Sequence, residues 1–220
     1  MKAERLSPKE IEARSFELIT DELEKAAAEG TIPPLESFDA KELCVIKRCI
    51  HTTADFDYAT TMSFSEGAIE KFTHLVRKGA TIVTDTNMAL AGINRRELSK
   101  YGCDAVCHMA EESVAAEAKE RDMTRASVSM ERAMASGEDV IFVIGNAPTA
   151  LMTLKEYSDS GRYKPAFVVG VPVGFVNVVA AKEMILESNI PYIVNAGRKG
   201  GSNVAAAIVN AILYMMRDEG

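Results

Sequence analysis

Five short apolar runs, each with at least one valine, recur through the middle and C-terminal parts of the chain. The runs are residues 80–84, 104–107, 140–144, 166–170 and 192–194. Glycine, proline or polar residues bound them, and strands buried on both faces of a parallel sheet have this near-continuous apolar pattern. The pattern therefore predicts a mainly parallel five-stranded sheet.

Amphipathic segments precede these runs and alternate with them. Apolar residues recur at intervals of three and four along 8–28, a second helix is predicted from Asp39 to about Cys49, and a third over 65–78. The later helical segments are residues 110–120, 124–135, 148–157, 175–187 and 203–216. Helices that alternate with strands predict a three-layer α/β/α fold with right-handed crossovers, here preceded by N-terminal helices.

Length and composition fit one globular unit. The chain has 220 residues and a mass of 23.9 kDa, with 47% hydrophobic and 26% charged residues. These values are ordinary for soluble proteins, and a chain of this size buries a full core more readily as one domain than as two small ones. We therefore expect residues 1–220 to form a single domain.

The charge pattern limits the classes of partner that the sequence supports. The formal net charge is −7, and no run of Lys or Arg is long enough to form a basic stripe, which argues against nucleic acid as the main partner. Residues 1–12 lack the apolar core of a signal peptide, and no apolar run is long enough to cross a bilayer. We therefore expect no membrane association and a cytoplasmic location.

The four cysteines are expected to be free thiols. Because no export signal precedes Cys44, Cys49, Cys103 and Cys107, a disulfide framework is not expected. Cys103 and Cys107, with His108 beside them, are possible soft-metal ligands, but the spacing of a zinc knuckle is absent. Alternation along a strand over 104–107 would place both thiols on one face, so core packing is the preferred interpretation and no metal site is predicted.

Small, polar and glycine-rich segments follow the predicted strands. They are residues 85–87, 109–111, 145–146, 170–174 and 195–202. Ligands bind at the carboxyl ends of parallel strands, where glycine amides and helix N-termini can receive carboxylates or phosphates. The predicted rim therefore suits an anionic ligand. Arg198, Lys199 and the amides of Gly200 and Gly201 lie in the last of these segments and are suitable receptors.

His51 is the strongest candidate for proton chemistry. It is one of three histidines, lies at or just past the end of the second predicted helix, and precedes two threonines. A histidine can hold or move a proton near neutral pH, whereas Asp55 is expected to cap or orient the turn that follows. His74 lies off the apolar face of the third helix and is expected to be a surface or rim residue rather than a catalyst.

Several enzyme classes lack support in the sequence. Residues 170–174 lack the three-glycine dinucleotide fingerprint, and residues 197–202 lack the spacing of a phosphate loop. No Gly-x-Ser-x-Gly elbow is present, so a hydrolase triad is not supported. A nucleotide-dependent oxidoreductase therefore stays only as a minor alternative.

Ser15 has two interpretations. It interrupts the apolar face of the first predicted helix, where a small residue would allow close helix packing. Alternatively, its hydroxyl turns into a pocket beside Arg14. The helical pattern alone favours the packing interpretation, and Arg14 and Arg48 themselves fit solvated or ion-paired surface groups.

A set of segments in this order and spacing resembles the precorrin-8X methylmutase family, also called precorrin isomerase. The segments are residues 13–16 (ARSF), 50–58 (IHTTADFDY), 85–88 (DTNM), 124–125 (TR), 145–151 (GNAPTAL), 170–175 (GVPVGF) and 198–202 (RKGGS). Each segment alone is weakly diagnostic, whereas the whole set is specific. The resemblance extends from about residue 10 to residue 215.

This resemblance implies an isomerase of cobalamin (corrin) biosynthesis. The enzyme would move a methyl group between adjacent carbons of ring C of precorrin-8X or cobalt-precorrin-8, giving hydrogenobyrinate or cobyrinate. It implies that His51 is the catalytic proton or hydrogen-bond donor to the ring C nitrogen. The implied substrate-binding residues are Ser15, Thr52, Asn87, Arg125, Arg198 and Lys199.

The resemblance also implies a homodimer with the tetrapyrrole bound near the subunit boundary. No cofactor or catalytic metal is expected, because the rearrangement exchanges no electrons; cobalt, where present, belongs to the substrate. A non-catalytic tetrapyrrole-binding carrier would share the same pocket features, but it would not need His51 as an acid.

Overall fold

The computed structural model describes residues 7–137 and 139–218. Its strands are β1 (Met62–Phe64), β2 (Thr81–Thr84), β3 (Ala105–Val106), β4 (Val140–Ile144), β5 (Phe167–Gly170) and β6 (Tyr192–Asn195). Its α-helices are α1 (Pro8–Ala28), α2 (Ala40–Thr53), α3 (Tyr58–Thr61), α4 (Ala68–Arg77), α5 (Asn87–Gly92), α6 (Arg95–Ser99), α7 (Glu112–Glu120), α8 (Arg125–Met134), α9 (Pro148–Asp159), α10 (Val178–Leu186) and α11 (Ser202–Asp218). Short 3-10 helices cover Leu35–Ser37 and His108–Ala110.

The strands form one sheet in the order β1-β6-β5-β4-β2-β3. Neighbours from β6 to β3 are parallel, and β1 pairs antiparallel to β6 with Met62 opposite Asn195. The five predicted strands are confirmed, but the sheet has a sixth within the described residues. β1 escaped prediction because it has only three half-buried residues, too few for an alternating pattern to stand out.

Helices cover both faces of the sheet, which confirms the predicted three layers. Along β4, Ile141 and Val143 pack with α2, α4 and α11, whereas Phe142 and Ile144 pack with α8, α9 and α10. Successive residues of a strand point to opposite faces, so a continuously apolar strand serves two cores. This arrangement explains why all five residues of β4 are buried.

Helix α11 lies between the sheet and other helices. It contacts the helices α2, α4, α5 and α6 and the strands β4 and β5. Its buried residues therefore lie around most of the helix, as is usual for a helix covered on several sides. At Gly92 in α5, an added Cβ would lie 2.7 Å from Ala206 Cβ, so this close helix approach depends on glycine.

The N-terminal helices depart from prediction in two ways. Helix α1 has the predicted bounds, but Ile11 and Leu18 remain 52% and 47% exposed in this chain. Helix α2 continues to Thr53, past the predicted end near Cys49, and stops where Ala54 adopts a left-handed conformation with φ of 53°. His51 therefore lies within the last turn of α2. No helix in the described ranges is both long and apolar enough to span a bilayer.

Candidate active site

A buried carboxylate organises the carboxyl ends of β2 and β4. Asp85, directly after β2, accepts hydrogen bonds from the backbone N–H groups of Gly145 (2.8 Å), Asn146 (2.8 Å) and Ala147 (2.6 Å). Burial raises the pKa of Asp85, and the three amide hydrogen bonds act in the opposite direction. The side chain thus holds the loop after β4 and points away from solvent.

The start of α11 lies against the same strand ends. The hydroxyl groups of Thr86 and Ser202 are 2.7 Å apart, and a Cβ at Gly145 would lie 2.7 Å from Ser202 Cα. Gly200 has φ of +150°, and a Cβ there would clash with the carbonyl oxygen of Val171. These close approaches place the N-terminus of α11 at the rim of the sheet.

Polar side chains donate hydrogen bonds to the backbone of the loop of residues 196–201. Lys182 Nζ donates to the carbonyl oxygens of Gly197 (2.9 Å) and Lys199 (2.7 Å). Asn195 Nδ2 also donates to the Lys199 carbonyl (2.9 Å), and Asn195 Oδ1 accepts from the Thr61 hydroxyl (2.6 Å). The loop is therefore tied to α10, to β6 and to the segment before β1.

An ion-pair cluster joins this loop to the segment after α2. Lys199 Nζ lies 2.6 Å from carboxylate oxygens of both Asp55 and Asp57. These pairs raise the pKa of Lys199, and the Lys199 hydrogen bond lowers the pKa of Asp55. Asp55 Oδ1 also accepts from the Asp57 amide, as expected for a residue that orients the turn. The positive charge of Lys199 is therefore largely neutralised.

His51 faces a groove between α2 and α11. Its imidazole stacks on Phe16 of α1, with ring centroids 5.1 Å apart and an interplanar angle of 14°. The groove has a volume of about 300 Å³. The residues that line it are Arg48, His51, Thr52, Gly92, Asn203, Ala206, Ala207, Asn210 and Tyr214. Within the described chain, no hydrogen bond engages a ring nitrogen of His51, so both nitrogens are available to a ligand.

The side chains around His51 have internal partners. Arg48 pairs with Glu12 (2.8 Å) and lies over the rings of Phe16 and Tyr214, in agreement with its interpretation as an ion-paired group. The Thr52 hydroxyl donates to the Arg48 carbonyl (3.0 Å). The Ser15 hydroxyl donates to the Ile11 carbonyl (2.8 Å). Both hydroxyl oxygens keep acceptor capacity for a ligand.

The predicted site residues fall into two groups. His51 and Thr52 line the groove, and Asn203 connects it to the rim, because a Cβ at Gly201 would lie 2.6 Å from Asn203 Oδ1. The remaining cationic and amide candidates lie on helix starts and loops. Asn87 and Arg125 are the exposed first residues of α5 and α8, and Arg198 lies over the ring of Phe175 at 5.5 Å. Arg125 is not among the residues that line the groove.

Sequence reasoning missed Asn203 and Asn210 on α11, Phe16 on α1, and Lys182 on α10. A signal exists for three of them. Asn203 and Asn210 are polar, seven residues apart and thus on one side of an otherwise apolar helix. Lys182 follows an apolar stretch at the start of α10. Phe16 belongs to the segment 13–16 that carries the family resemblance, but only folding brings its ring to His51.

The cysteines are consistent with free thiols. Cys103 is buried and its thiol contacts the Val76 carbonyl (3.0 Å), which confirms its assignment to the core. Cys107 is only half-buried, and β3 is limited to Ala105–Val106, so the expected shared strand face does not form. In the part of the chain that the structure describes, no three His, Cys, Asp or Glu residues converge as metal ligands. His74 is exposed, as predicted.

Comparison with known proteins identifies the family. The family model described as "CbiC: Precorrin-8X methylmutase" matches residues 10–215. The chain belongs to this family. It is 42% identical over 212 residues to the cobalt-precorrin-8 methylmutase of Salmonella typhimurium (strain LT2), covering 96% of this chain and 97% of that one. It is 38% identical to the cobalt-precorrin-8 methylmutase of Priestia megaterium, covering 94% and 88%.

The fold agrees with that of a solved member of the precorrin-8X methylmutase family. The crystal structure of the Thermus thermophilus precorrin-8X methylmutase has a TM-score of 0.84 to this chain at 37% sequence identity, covering 96% of this chain and 98% of that one. Members of the family are methyl-moving isomerases of cobalamin biosynthesis, and this chain is an enzyme of that class. The family and enzyme class predicted from the sequence are confirmed.

Proposed function

We propose that this protein moves a methyl group between adjacent carbons of ring C of precorrin-8X or cobalt-precorrin-8, giving hydrogenobyrinate or cobyrinate. The observation that carries the proposal is near-full-length similarity to a cobalt-precorrin-8 methylmutase, at 42% identity. The free imidazole edge of His51 in an open groove supports it. The rearrangement exchanges no electrons, so side chains can provide all of the required proton chemistry.

In this proposal, His51 donates a proton or a hydrogen bond to the ring C nitrogen. Partial positive charge would then spread into the conjugated system and lower the barrier to methyl migration. Histidine suits this task because its proton affinity is matched to neutral pH. Stacking on Phe16 limits rotation of the imidazole and leaves its nitrogen-bearing edge free for substrate.

The carboxylate arms of the substrate need several receptors around the macrocycle. We assign this role to Ser15, Thr52, Asn87, Arg125, Arg198, Lys199, Gly200 and Gly201. Arg125 and Arg198 are exposed cations, whereas Lys199 already neutralises carboxylates of its own chain. We therefore expect the two arginines to contribute more binding energy than Lys199.

Direct assay tests the proposed reaction. Purified protein is incubated with precorrin-8X and, separately, with cobalt-precorrin-8, and the absorbance spectrum is followed as conjugation in the macrocycle changes. Turnover of either substrate is the expected result, and the faster one identifies the preferred substrate. Tight corrinoid binding without turnover would instead support a tetrapyrrole carrier. A thermal shift with NAD or FAD would support the oxidoreductase alternative.

Arg125→Met is expected to raise KM about tenfold and leave kcat nearly unchanged, because a charge-assisted contact to a distal carboxylate is made equally in the ground and transition states. Steady-state kinetics measure the effects on KM and kcat separately. Arg162→Met is the matched control, because Arg162 is also exposed but already pairs with Glu156 and lies over Tyr157. Equal KM values for the two variants would exclude Arg125 from the site.

We further propose that the chain acts as one domain, in the cytoplasm, and as a homodimer that encloses the macrocycle. A groove of about 300 Å³ is at the small end for a drug-sized ligand and cannot enclose a tetrapyrrole. Phe175 and Val176, after β5, are 82% and 76% exposed and would be covered by a second copy.

Sedimentation equilibrium is expected to give a mass of twice 23.9 kDa for the wild-type chain. Phe175→Glu is expected to weaken the dimer by placing a charge in an apolar contact. A monomeric wild-type protein would contradict the proposal. A dimer unaffected by Phe175→Glu would place the interface on another surface.

A further inference from the structure

Lys182 is a buried cation that the proposed chemistry does not use. It lies on α10, is fully buried, and has a pKa lowered to about 8 by burial. Its ammonium donates to the carbonyl oxygens of Gly197 and Lys199. Among the described residues, no carboxylate forms an ion pair with it. The two carbonyl groups are therefore its main electrostatic compensation, and their positions are coupled to the lysine.

Because the peptide group is planar and trans, the hydrogen bonds from Lys182 also fix the direction of neighbouring N–H groups in the loop. In a trans peptide the C=O and N–H bonds point in opposite directions, and the described chain has no cis peptide bond. When the carbonyls of Gly197 and Lys199 point to Lys182, the following N–H groups, those of Arg198 and Gly200, must point away from the buried ammonium. Neither N–H donates to an acceptor within the described residues.

The same contact strengthens these two donors. A hydrogen bond to a peptide oxygen polarises the peptide group and makes its N–H a better donor. The Lys199 carbonyl accepts from both Lys182 (2.7 Å) and Asn195 (2.9 Å), so the peptide that carries the Gly200 N–H is polarised twice. Lys182 also adds a positive charge behind the loop, where Lys199 is already neutralised by its own carboxylate partners.

We propose that Lys182 is a positioning residue for substrate binding: it draws two carbonyls of the loop 197–201 inward and thereby presents the N–H groups of Arg198 and Gly200 to a carboxylate arm of the substrate. The inference rests on the proposed function for the identity of the anion. Lys182 itself touches no substrate and acts through the loop. It therefore differs from Arg125, which is assigned a direct contact.

Lys182→Met tests the inference, because methionine is similar in length and apolar but cannot donate. We expect KM to rise about tenfold or more with kcat within about threefold of wild type, since an arm-binding contact contributes equally to ground and transition states. In the free protein, the N–H group of Gly201 donates to the Val171 carbonyl (2.9 Å), and its hydrogen exchange is expected to accelerate about tenfold or more, with little change in β4.

Ser188→Ala is the matched control. Ser188 follows α10, is partly buried and donates to the Ile185 carbonyl, but it does not contact the loop. If Ser188→Ala reproduces the kinetic and exchange changes of Lys182→Met, the lysine has only a general structural role and the inference is wrong. Lys182→Gln retains one amide donor, so its KM and its exchange rates are expected to lie between those of Lys182→Met and wild type. If Lys182→Met does not fold, Lys182→Gln replaces it in the same comparison with Ser188→Ala.

A measurement on the wild-type protein needs no variant. In an amide-resolved NMR titration with the corrin product, the proton resonances of Arg198 and Gly200 are expected to shift downfield as they bind a carboxylate. Binding that leaves both resonances unchanged would overturn the inference. If the wild-type protein neither binds nor turns over corrinoids, the proposed function fails, whereas hydrogen exchange in the Lys182 variants still decides whether the lysine positions the loop.

Discussion

His51→Ala is expected to lower kcat for the methyl shift by about 10²- to 10⁴-fold, the range typical of a lost general acid. The wild-type imidazole has no hydrogen bond to its ring nitrogens within the described residues, so its proton is free for the substrate. Alanine suits the last turn of α2, and the side chain is exposed, so folding should be retained. Stopped-assay turnover and corrinoid binding by absorbance measure the two effects separately.

Two further variants sharpen this test. His74→Ala removes another exposed histidine, on α4, and should leave kcat unchanged. His51→Gln retains a hydrogen-bond donor that cannot transfer a proton at neutral pH. Substantial activity in His51→Gln would assign hydrogen bonding to His51, whereas activity as low as in alanine would assign proton transfer. Full turnover by His51→Ala would remove His51 from the mechanism.

Asp85→Asn is expected to lower the free energy of unfolding by about 3–5 kcal/mol, because an NH₂ group replaces one of the two buried acceptor oxygens while the N–H donors stay buried. Asp85 accepts from three consecutive backbone N–H groups at the end of β4. Asparagine has a single acceptor oxygen, and its NH₂ group would face an N–H donor. Urea unfolding followed by circular dichroism measures the change.

Asp159→Asn is the matched control for Asp85→Asn. Asp159 is an exposed carboxylate at the end of α9, paired with Lys155. An exposed ion pair contributes little, so the control should lose less than about 1 kcal/mol. If the two variants are equally stable, Asp85 does not support the rim in the proposed way. If Asp85→Asn is also inactive at temperatures where it stays folded, the loop after β4 takes part in substrate binding.

The fold was largely predictable because its elements have strong local patterns. The five predicted strands have apolar central residues, and all five are present, although β3 is shorter than predicted. The short elements were not predictable for the opposite reason. β1 has three residues, and α3, α5 and α6 have four to six, so tertiary contacts outweigh their local propensity. The predicted end of α2 was also wrong, because the helix is terminated by Ala54 in a left-handed conformation and not by a glycine.

The chemical character of the site was predictable, but the state of each side chain was not. The sequence by itself determined that glycine-rich, polar segments follow the strands, and it predicted His51 as the residue for proton chemistry. Only the tertiary structure paired Lys199 with Asp55 and Asp57, stacked Phe16 on His51 and buried Lys182 beneath two carbonyl groups. Lys199 and Asp57 are 142 residues apart in the chain. Charge neutralisation and desolvation depend on distances between such remote residues, which a local pattern does not contain.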